Sequence, residues 1–108
     1  MNQTMDLEQY YIGTDLKFLI TIECEGFTIG GTGCDFDVVL KCGNKRYKCK
    51  EQDVVFDEDD NCYLLVNSSM FISGTLLAIF YVHVPDTDFE DGIRTEVGVI
   101  ELCKLKST

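Results

Sequence analysis

The sequence contains a single histidine, His83, and this scarcity limits the chemistry available to the chain. Catalytic histidine triads need partners at a suitable distance, and most histidine-based metal sites need further ligands. The neighbours of His83 in the sequence are largely apolar, and no cysteine stands in a recognisable nucleophile context. We therefore expect His83 to be a structural or surface residue, and we expect the protein not to be an enzyme.

Basic residues are also scarce, because nine lysines and arginines face 19 acidic residues and leave a net charge of −10. A surface of this sign repels phosphate, whereas nucleic-acid binding needs a basic stripe. The one local basic cluster consists of Lys41, Lys45, Arg46, Lys48 and Lys50. It alternates with apolar residues and is typical of the solvent face of an edge hairpin. We therefore expect no nucleic-acid partner.

The six cysteines include no CxxC pair, and their spacings match no zinc module. Cys24, Cys42 and Cys49 fall on the apolar phase of alternating segments, where cysteine acts as a small hydrophobic residue. Residues 1–9 contain no apolar signal-peptide core, so we expect free thiols. The longest apolar run, residues 76–84, is far too short to span a bilayer, and we expect no membrane partner.

Alternation of apolar and polar residues with period two recurs along the chain and predicts half-buried strands. The predicted strands are residues 16–24, 35–42, 45–50, 53–56, 62–67, 75–84 and 93–105, with 10–13 as a short first strand. Gly43-Asn44 marks a hairpin, and Gly98 indicates a bulge in the last strand.

About seven or eight short strands with regular turn signals predict an all-β fold, an immunoglobulin-like antiparallel β-sandwich. We expect one domain over residues 10–108, preceded by an N-terminal arm of residues 1–9. The predicted core contains Phe18, Ile20, Ile22, Phe36, Val38, Leu40, Phe80 and Val82.

The strand predicted for residues 75–84 is apolar on both faces. Its inner set is Leu76, Ala78, Phe80, Val82 and Val84, and its outer set contains Leu77, Ile79, Tyr81 and His83. A sandwich strand normally has one polar face, so something must cover the outer set. Either these four residues form a protein interface, or the N-terminal arm covers them with Leu7, Tyr10 and Tyr11.

Two acidic turns have partial calcium-site spacings. Asp57, Asp59 and Asn61 match the start of an EF-hand loop, but Cys62 stands where that loop requires glycine. In the loop of residues 85–92, Gly92 comes one position too late for the same motif. We expect no metal at either turn.

The loop of residues 85–92 places an aromatic residue among acids, and Arg94 follows closely. An arginine fork can clamp one or two of these carboxylates and fix the loop. The residues predicted to give the loop its structure are Asp86, Asp88, Phe89, Asp91, Gly92 and Arg94.

The stretch from Asp15-Leu16-Lys17-Phe18 to VPDTDFEDGIRTEV at residues 84–97 resembles small proteins encoded in prophages of gut Bacteroides-type bacteria. These are similar to the N-terminal immunoglobulin-like domain of phage baseplate upper proteins and related tail components. The resemblance implies a non-enzymatic structural or assembly role in a tail or baseplate, without a cofactor. It implies a protein partner, either another virion component or a second copy. It also implies a location in the virion, or in the bacterial cytoplasm during assembly. A secreted adhesion or carbohydrate-binding β-sandwich is the alternative.

Overall fold

Ten strands and two short 3-10 turns make up the secondary structure of the described residues, which are 7–21, 23–24, 27–28, 35–59 and 61–108 of a computed structural model. The strands are β1 (Gln9–Tyr11), β2 (Asp15–Ile20), β3 (Glu23–Cys24), β4 (Phe27–Thr28), β5 (Asp35–Cys42), β6 (Lys45–Lys48), β7 (Val54–Phe56), β8 (Cys62–Asn67), β9 (Gly74–Pro85) and β10 (Ile93–Lys106). The 3-10 turns are Glu51–Asp53 and Ser68–Met70. No α-helix occurs among these residues.

The strands form a five-stranded sheet in the order β1-β10-β9-β5-β6 and a three-stranded sheet in the order β2-β8-β7. All pairs in these two sheets are antiparallel except β1 with β10. In immunoglobulin domains, strands B, E and D share one sheet, and strands C, F and G share the other. In this chain β2, β8 and β7 correspond to strands B, E and D, and β5, β9 and β10 correspond to strands C, F and G. The predicted immunoglobulin-like sandwich is confirmed, with more strands than the seven or eight expected.

The predicted strand over residues 16–24 is divided. Its alternation holds as far as Ile20, where β2 ends, and β3 then pairs with β4 in a separate small hairpin. The first strand begins at Gln9, and the main chain of Glu8 already accepts a hydrogen bond from Lys104 at 2.9 Å. Sheet pairing therefore begins within the segment predicted to be an arm.

The core lies between the two sheets and follows the period-two alternation of β5, β8 and β9. The predicted inner set of β9 is buried throughout, from Leu76 to Val84. Of the other predicted core residues, Ile20, Val38 and Leu40 are buried, while Phe18 and Phe36 are half-buried. Ile22 lies outside the described residues. The core also contains residues that the predicted set omits: Leu16, Cys42, Cys62, Leu64, Val66, Phe71, Cys103 and Leu105.

The prediction of a bulge at Gly98 is wrong. Gly98 pairs in regular register with Phe80, and the register shifts between Glu101 and Cys103 instead. A bulge inserts one residue and so reverses which side chains face the core. Cys103 and Leu105 are therefore buried, although the alternation of the preceding residues would turn them outwards.

Ser68 joins two corners of the sandwich. Its buried hydroxyl donates to the main-chain oxygen of Thr14 at 2.7 Å and accepts from the N–H of Gly13 at 2.9 Å. Gly13 has a φ of +108°, which a residue with a Cβ rarely adopts. The turn between β1 and β2 is thereby fixed to the connection that leads into β9.

The cysteines whose side chains are described are free thiols: Cys42, Cys49, Cys62 and Cys103. Burial raises the pKa of Cys103 to about 11 and that of Cys49 to about 12. Removal from water disfavours the thiolate, and the thiolate is the reactive form of cysteine. These thiols therefore act as apolar packing groups. The side chains of Cys24 and Cys34 fall outside the described residues.

Phe80→Ala is expected to lower the free energy of unfolding by about 3–5 kcal/mol, because it removes a fully buried ring and leaves a cavity. Urea denaturation followed by far-ultraviolet circular dichroism measures this change. Val97→Ala, at an exposed position of the same sheet, is the control and should cost less than about 0.5 kcal/mol. A loss below about 1 kcal/mol for Phe80→Ala would show that the inner face has been assigned incorrectly.

Candidate functional site

One side of the five-stranded sheet faces away from the core, and we call it the outer face. Successive residues of a strand point to opposite sides, so the buried residues of each strand determine which residues lie on this face. It consists of Asp35, Asp37, Val39 and Lys41 on β5, Arg46 and Lys48 on β6, Leu77, Ile79, Tyr81 and His83 on β9, and Thr95, Val97, Val99 and Glu101 on β10.

The centre of the outer face is apolar. Val99, Ile79 and Val39 form one row across three neighbouring strands. Val97 and Tyr81 form the next row, directly beside it. Val97 and Val99 expose 59% and 58% of their surfaces, which are high values for branched apolar residues within a sheet. A contiguous exposed patch of this kind is a mark of interaction sites.

Tyr10 and Tyr11, two of the residues that the second alternative placed over this patch, do not cover it. β1 extends the sheet at its edge, beside the end of β10, and β10 separates it from β9. Tyr10 packs against the core, and Tyr11 is 58% exposed. Coverage of Leu77, Ile79 and Tyr81 by Tyr10 and Tyr11 is therefore wrong. The reason is that the segment gains backbone hydrogen bonds by joining the sheet edge.

His83 is held within the outer face by neighbours on both adjoining strands. Its Nδ1 lies 3.2 Å from Oγ1 of Thr95, and its Nε2 lies 3.2 Å from Oδ2 of Asp37. β9 is paired on both sides, so these two contacts join His83 to both of the strands that adjoin its own.

Charge on the outer face is separated by sign along β5. Asp35 and Asp37 lie at one end of the strand, and Lys41 lies at the other. The register between β5 and β6 sets Arg46 beside Lys41 and Lys48 beside Val39. The face therefore has an acidic corner and a basic corner, with the apolar centre between them. The sequence alone predicts these basic residues only as the solvent side of an edge hairpin.

Arg94 forms ion pairs at the loop between β9 and β10, as the sequence predicted for this arginine. Nη1 of Arg94 lies 2.7 Å from Oδ2 of Asp86, and Nη2 lies 2.8 Å from Oε2 of Glu96. All three side chains are partly buried. The sequence interpretation missed Glu96. Its position two residues after Arg94, on the same side of a strand, was the signal that could have revealed it.

Backbone contacts close the same loop. The N–H of Asp86 donates to the oxygen of Gly92 at 2.9 Å, and the N–H of Gly92 donates to the oxygen of Phe89 at 2.8 Å. Gly92 has a φ of +77°, which favours glycine. Side-chain oxygens of Asp86 and Asp91 accept from the N–H groups of Asp88 and Ile93. The structure thus brings Asp86, Asp91, Gly92 and Arg94 into one network, while Phe89 has an exposed ring.

The acidic turn after β7 is ordered by its own carboxylate. Asp57 Oδ1 accepts from the N–H groups of Asp59 and Asn61, and its Oδ2 accepts from the Asn61 amide. These hydrogen bonds, chiefly those from Asn61, lower the pKa of Asp57. Across the described ranges, no three His, Cys, Asp or Glu side chains gather as a metal site would require.

A groove of about 710 Å³ opens between the two sheets beside β5 and β7. Apolar residues of both sheets line it, among them Phe36, Val38, Val54 and Phe56. The Phe36 ring meets Phe56 edge-on, with 6.5 Å between ring centroids, and lies 6.2 Å from the Phe80 ring. The groove exposes part of the core edge.

Within the described part of the chain, no helix is long and apolar enough to cross a bilayer. Comparisons with protein-family models, with curated proteins and with solved structures found no match to this chain.

Arg94→Ala is expected to loosen the loop of residues 85–92 and to lower the free energy of unfolding by about 1–3 kcal/mol, because it leaves partly buried carboxylates without their arginine. Amide hydrogen exchange should accelerate at Asp88 and Gly92. Arg46→Ala removes an exposed arginine from the edge strand and serves as the matched control. Unchanged exchange at the loop amides in Arg94→Ala would contradict the predicted structural role of Arg94.

Proposed function

We propose that the protein is a non-enzymatic binding module that contacts another protein through its outer face. The observation that supports this proposal is the exposure of Val97 and Val99, at 59% and 58%, beside the apolar residues Ile79 and Tyr81. Contact between water and this apolar surface is unfavourable. A protein partner that excludes the water therefore lowers the free energy of the complex.

The shape and charge of the face favour a protein over other partners. A small molecule is usually bound in a concave pocket, whereas this surface is the side of a sheet. The chain carries a net charge of −10, which disfavours nucleic acid. An apolar centre with a polar and charged rim is the arrangement found in protein–protein interfaces.

Phage tail or baseplate assembly is the setting that we propose for this contact. The resemblance of residues 84–97 to baseplate-associated proteins supports a partner that is another virion component or a second copy of the chain. Virion modules work through repeated, symmetric contacts, and the side of a sheet can take part in such a contact. A small secreted sandwich is expected to carry disulfides, whereas Cys42, Cys49, Cys62 and Cys103 are free. Assembly is therefore preferred to secreted adhesion.

The variant Val97→Lys/Val99→Lys tests the proposal, because it places two charges at the centre of the patch without disturbing buried side chains. Sedimentation measures association of the protein alone and with the products of neighbouring genes. We expect the variant to weaken the observed association at least about tenfold, which corresponds to about 1.4 kcal/mol.

Leu19→Lys provides the matched control, since Leu19 is also 58% exposed but lies on the three-stranded sheet. It should leave association within about twofold of the unmodified protein. The proposal is wrong if the control weakens binding as much as the double variant does. It is also wrong if the double variant retains full affinity for every partner that the unmodified protein binds.

A further inference from the structure

We infer that the occupant of the outer face is a second copy of this chain, stacked face to face with its strands running in the opposite direction. The two-fold axis would cross β10, β9 and β5 at the row of Val99, Ile79 and Val39. This inference rests on the proposed function, because it identifies the partner of the same face.

The charge sequence of β5 supports a two-fold contact. Asp37 lies two residues before Val39 and Lys41 lies two residues after it, so all three share the outer face. Reversing the strand direction about Val39 sets Asp37 of each copy opposite Lys41 of the other. Because a two-fold interface repeats every contact, one complementary pair in the sequence becomes two in the dimer.

The apolar residues at the centre of the face are also compatible with this two-fold axis. On β9, Leu77 and Tyr81 lie at equal distances on either side of Ile79. In the proposed dimer, each Tyr81 therefore meets the Leu77 of the other copy. Residues on the axis row meet their own counterparts. Val99, Ile79 and Val39 in this row are branched and apolar, whereas Lys48, which pairs with Val39 on the edge strand β6, meets the Lys48 of the other copy. The contact removes the most exposed aliphatic residues of the face, Val97 and Val99, from water.

A second two-fold arrangement, with the axis along β9, fits the charges less well. It would pair Lys41 with Glu101 but would set Asp37 opposite Val97, and burial of an unpaired carboxylate is costly. In the arrangement we infer, it is Glu101 that faces Val97. Glu101 has the longer side chain, and among the described residues β1 pairs only with Lys104–Lys106, so no described strand lies beside Glu101 on that side of β10. Its carboxylate can reach water there, and Lys48 on the opposite edge strand can do the same.

The size of the face indicates how strong the association should be. Four strands at a spacing of ~4.8 Å and nine residues at ~3.3 Å each give a surface roughly 19 Å by 30 Å. Such a contact lies at the small end of specific interfaces. Self-association should therefore be measured over a wide concentration range, from micromolar to millimolar.

Two charge-reversal variants on β5, Asp37→Lys and Lys41→Asp, test the inference. Each variant is measured alone, and the two are then mixed. In Asp37→Lys, both symmetric contacts place lysine against Lys41, and in Lys41→Asp both place aspartate against Asp37. Each variant alone should dimerise at least about tenfold more weakly than the unmodified chain by sedimentation. In a heterodimer of the two variants, the lysine that replaces Asp37 meets the aspartate that replaces Lys41. The unchanged Lys41 of the first variant meets the unchanged Asp37 of the second, so heterodimers should form with near-original affinity.

Glu58→Lys is the control for the change in net charge, because Glu58 lies in an exposed turn beside β7. It should dimerise like the unmodified chain. Thermal unfolding of each variant checks that the fold is retained, and Asp37→Arg mixed with Lys41→Glu repeats the test with different side chains. Loss in both single variants with recovery in both mixtures supports the inference.

Two outcomes overturn the inference without removing the proposed function. The first is a protein that stays monomeric at all concentrations yet binds a product of a neighbouring gene and loses that binding in Val97→Lys/Val99→Lys. The second is a dimer that is lost in this double variant but persists in Asp37→Lys and Lys41→Asp. Failure of the mixture to restore association after both single variants have lost it also overturns the two-fold arrangement.

Discussion

The alternation of side chains along β9 is the constraint on which the rest of this structure depends. The strand is hydrogen-bonded to β5 on one side and to β10 on the other. Its backbone therefore cannot rotate to bury both sets of side chains. Phe80 and its neighbours two residues away must fill the core, and Leu77, Ile79 and Tyr81 must then face outwards. A shift of one residue in the register would exchange the two sets. The apolar outer face is therefore a direct consequence of how the core is built.

Both ends of β9 are fixed by polar contacts that are buried or partly buried. Before the strand, the buried hydroxyl of Ser68 joins the turn at Gly13 to the 3-10 turn that leads towards β9. After the strand, Arg94 binds Asp86 and Glu96 at the start of β10. Buried or half-buried polar groups that are fully paired specify one arrangement of the backbone. These two contacts support the backbone arrangement of the sheet that presents the outer face.

The sequence predicted the local features of this fold well, because alternation reports burial wherever a strand stays regular. Along residues 35–42 and 75–84 it identified which side chains face the core. It failed at Cys103 and Leu105, since a bulge reverses the alternation and leaves no reliable local mark. It also joined β2 to β3, because the apolar pattern continues past Ile20 where the pairing does not.

The candidate site was only partly predictable, because its arrangement depends on register between strands far apart in sequence. The outward position of Ile79 and Tyr81 followed from one strand alone. The row that joins them to Val97, Val99 and Val39 requires the pairing of three strands. The contact between His83 and Asp37 spans two of these strands and had no sequence signal.

Nuclear magnetic resonance of the methyl groups, recorded as the protein is diluted and as its partner is added, tests the central claim most directly. The account predicts that chemical shifts of Val39, Ile79, Val97 and Val99 change together with concentration or with the partner. The methyl groups of Leu19 and Leu65, exposed on the three-stranded sheet, should remain unchanged. Changes confined to Leu19 and Leu65, with the outer-face methyl groups unaffected, would contradict it.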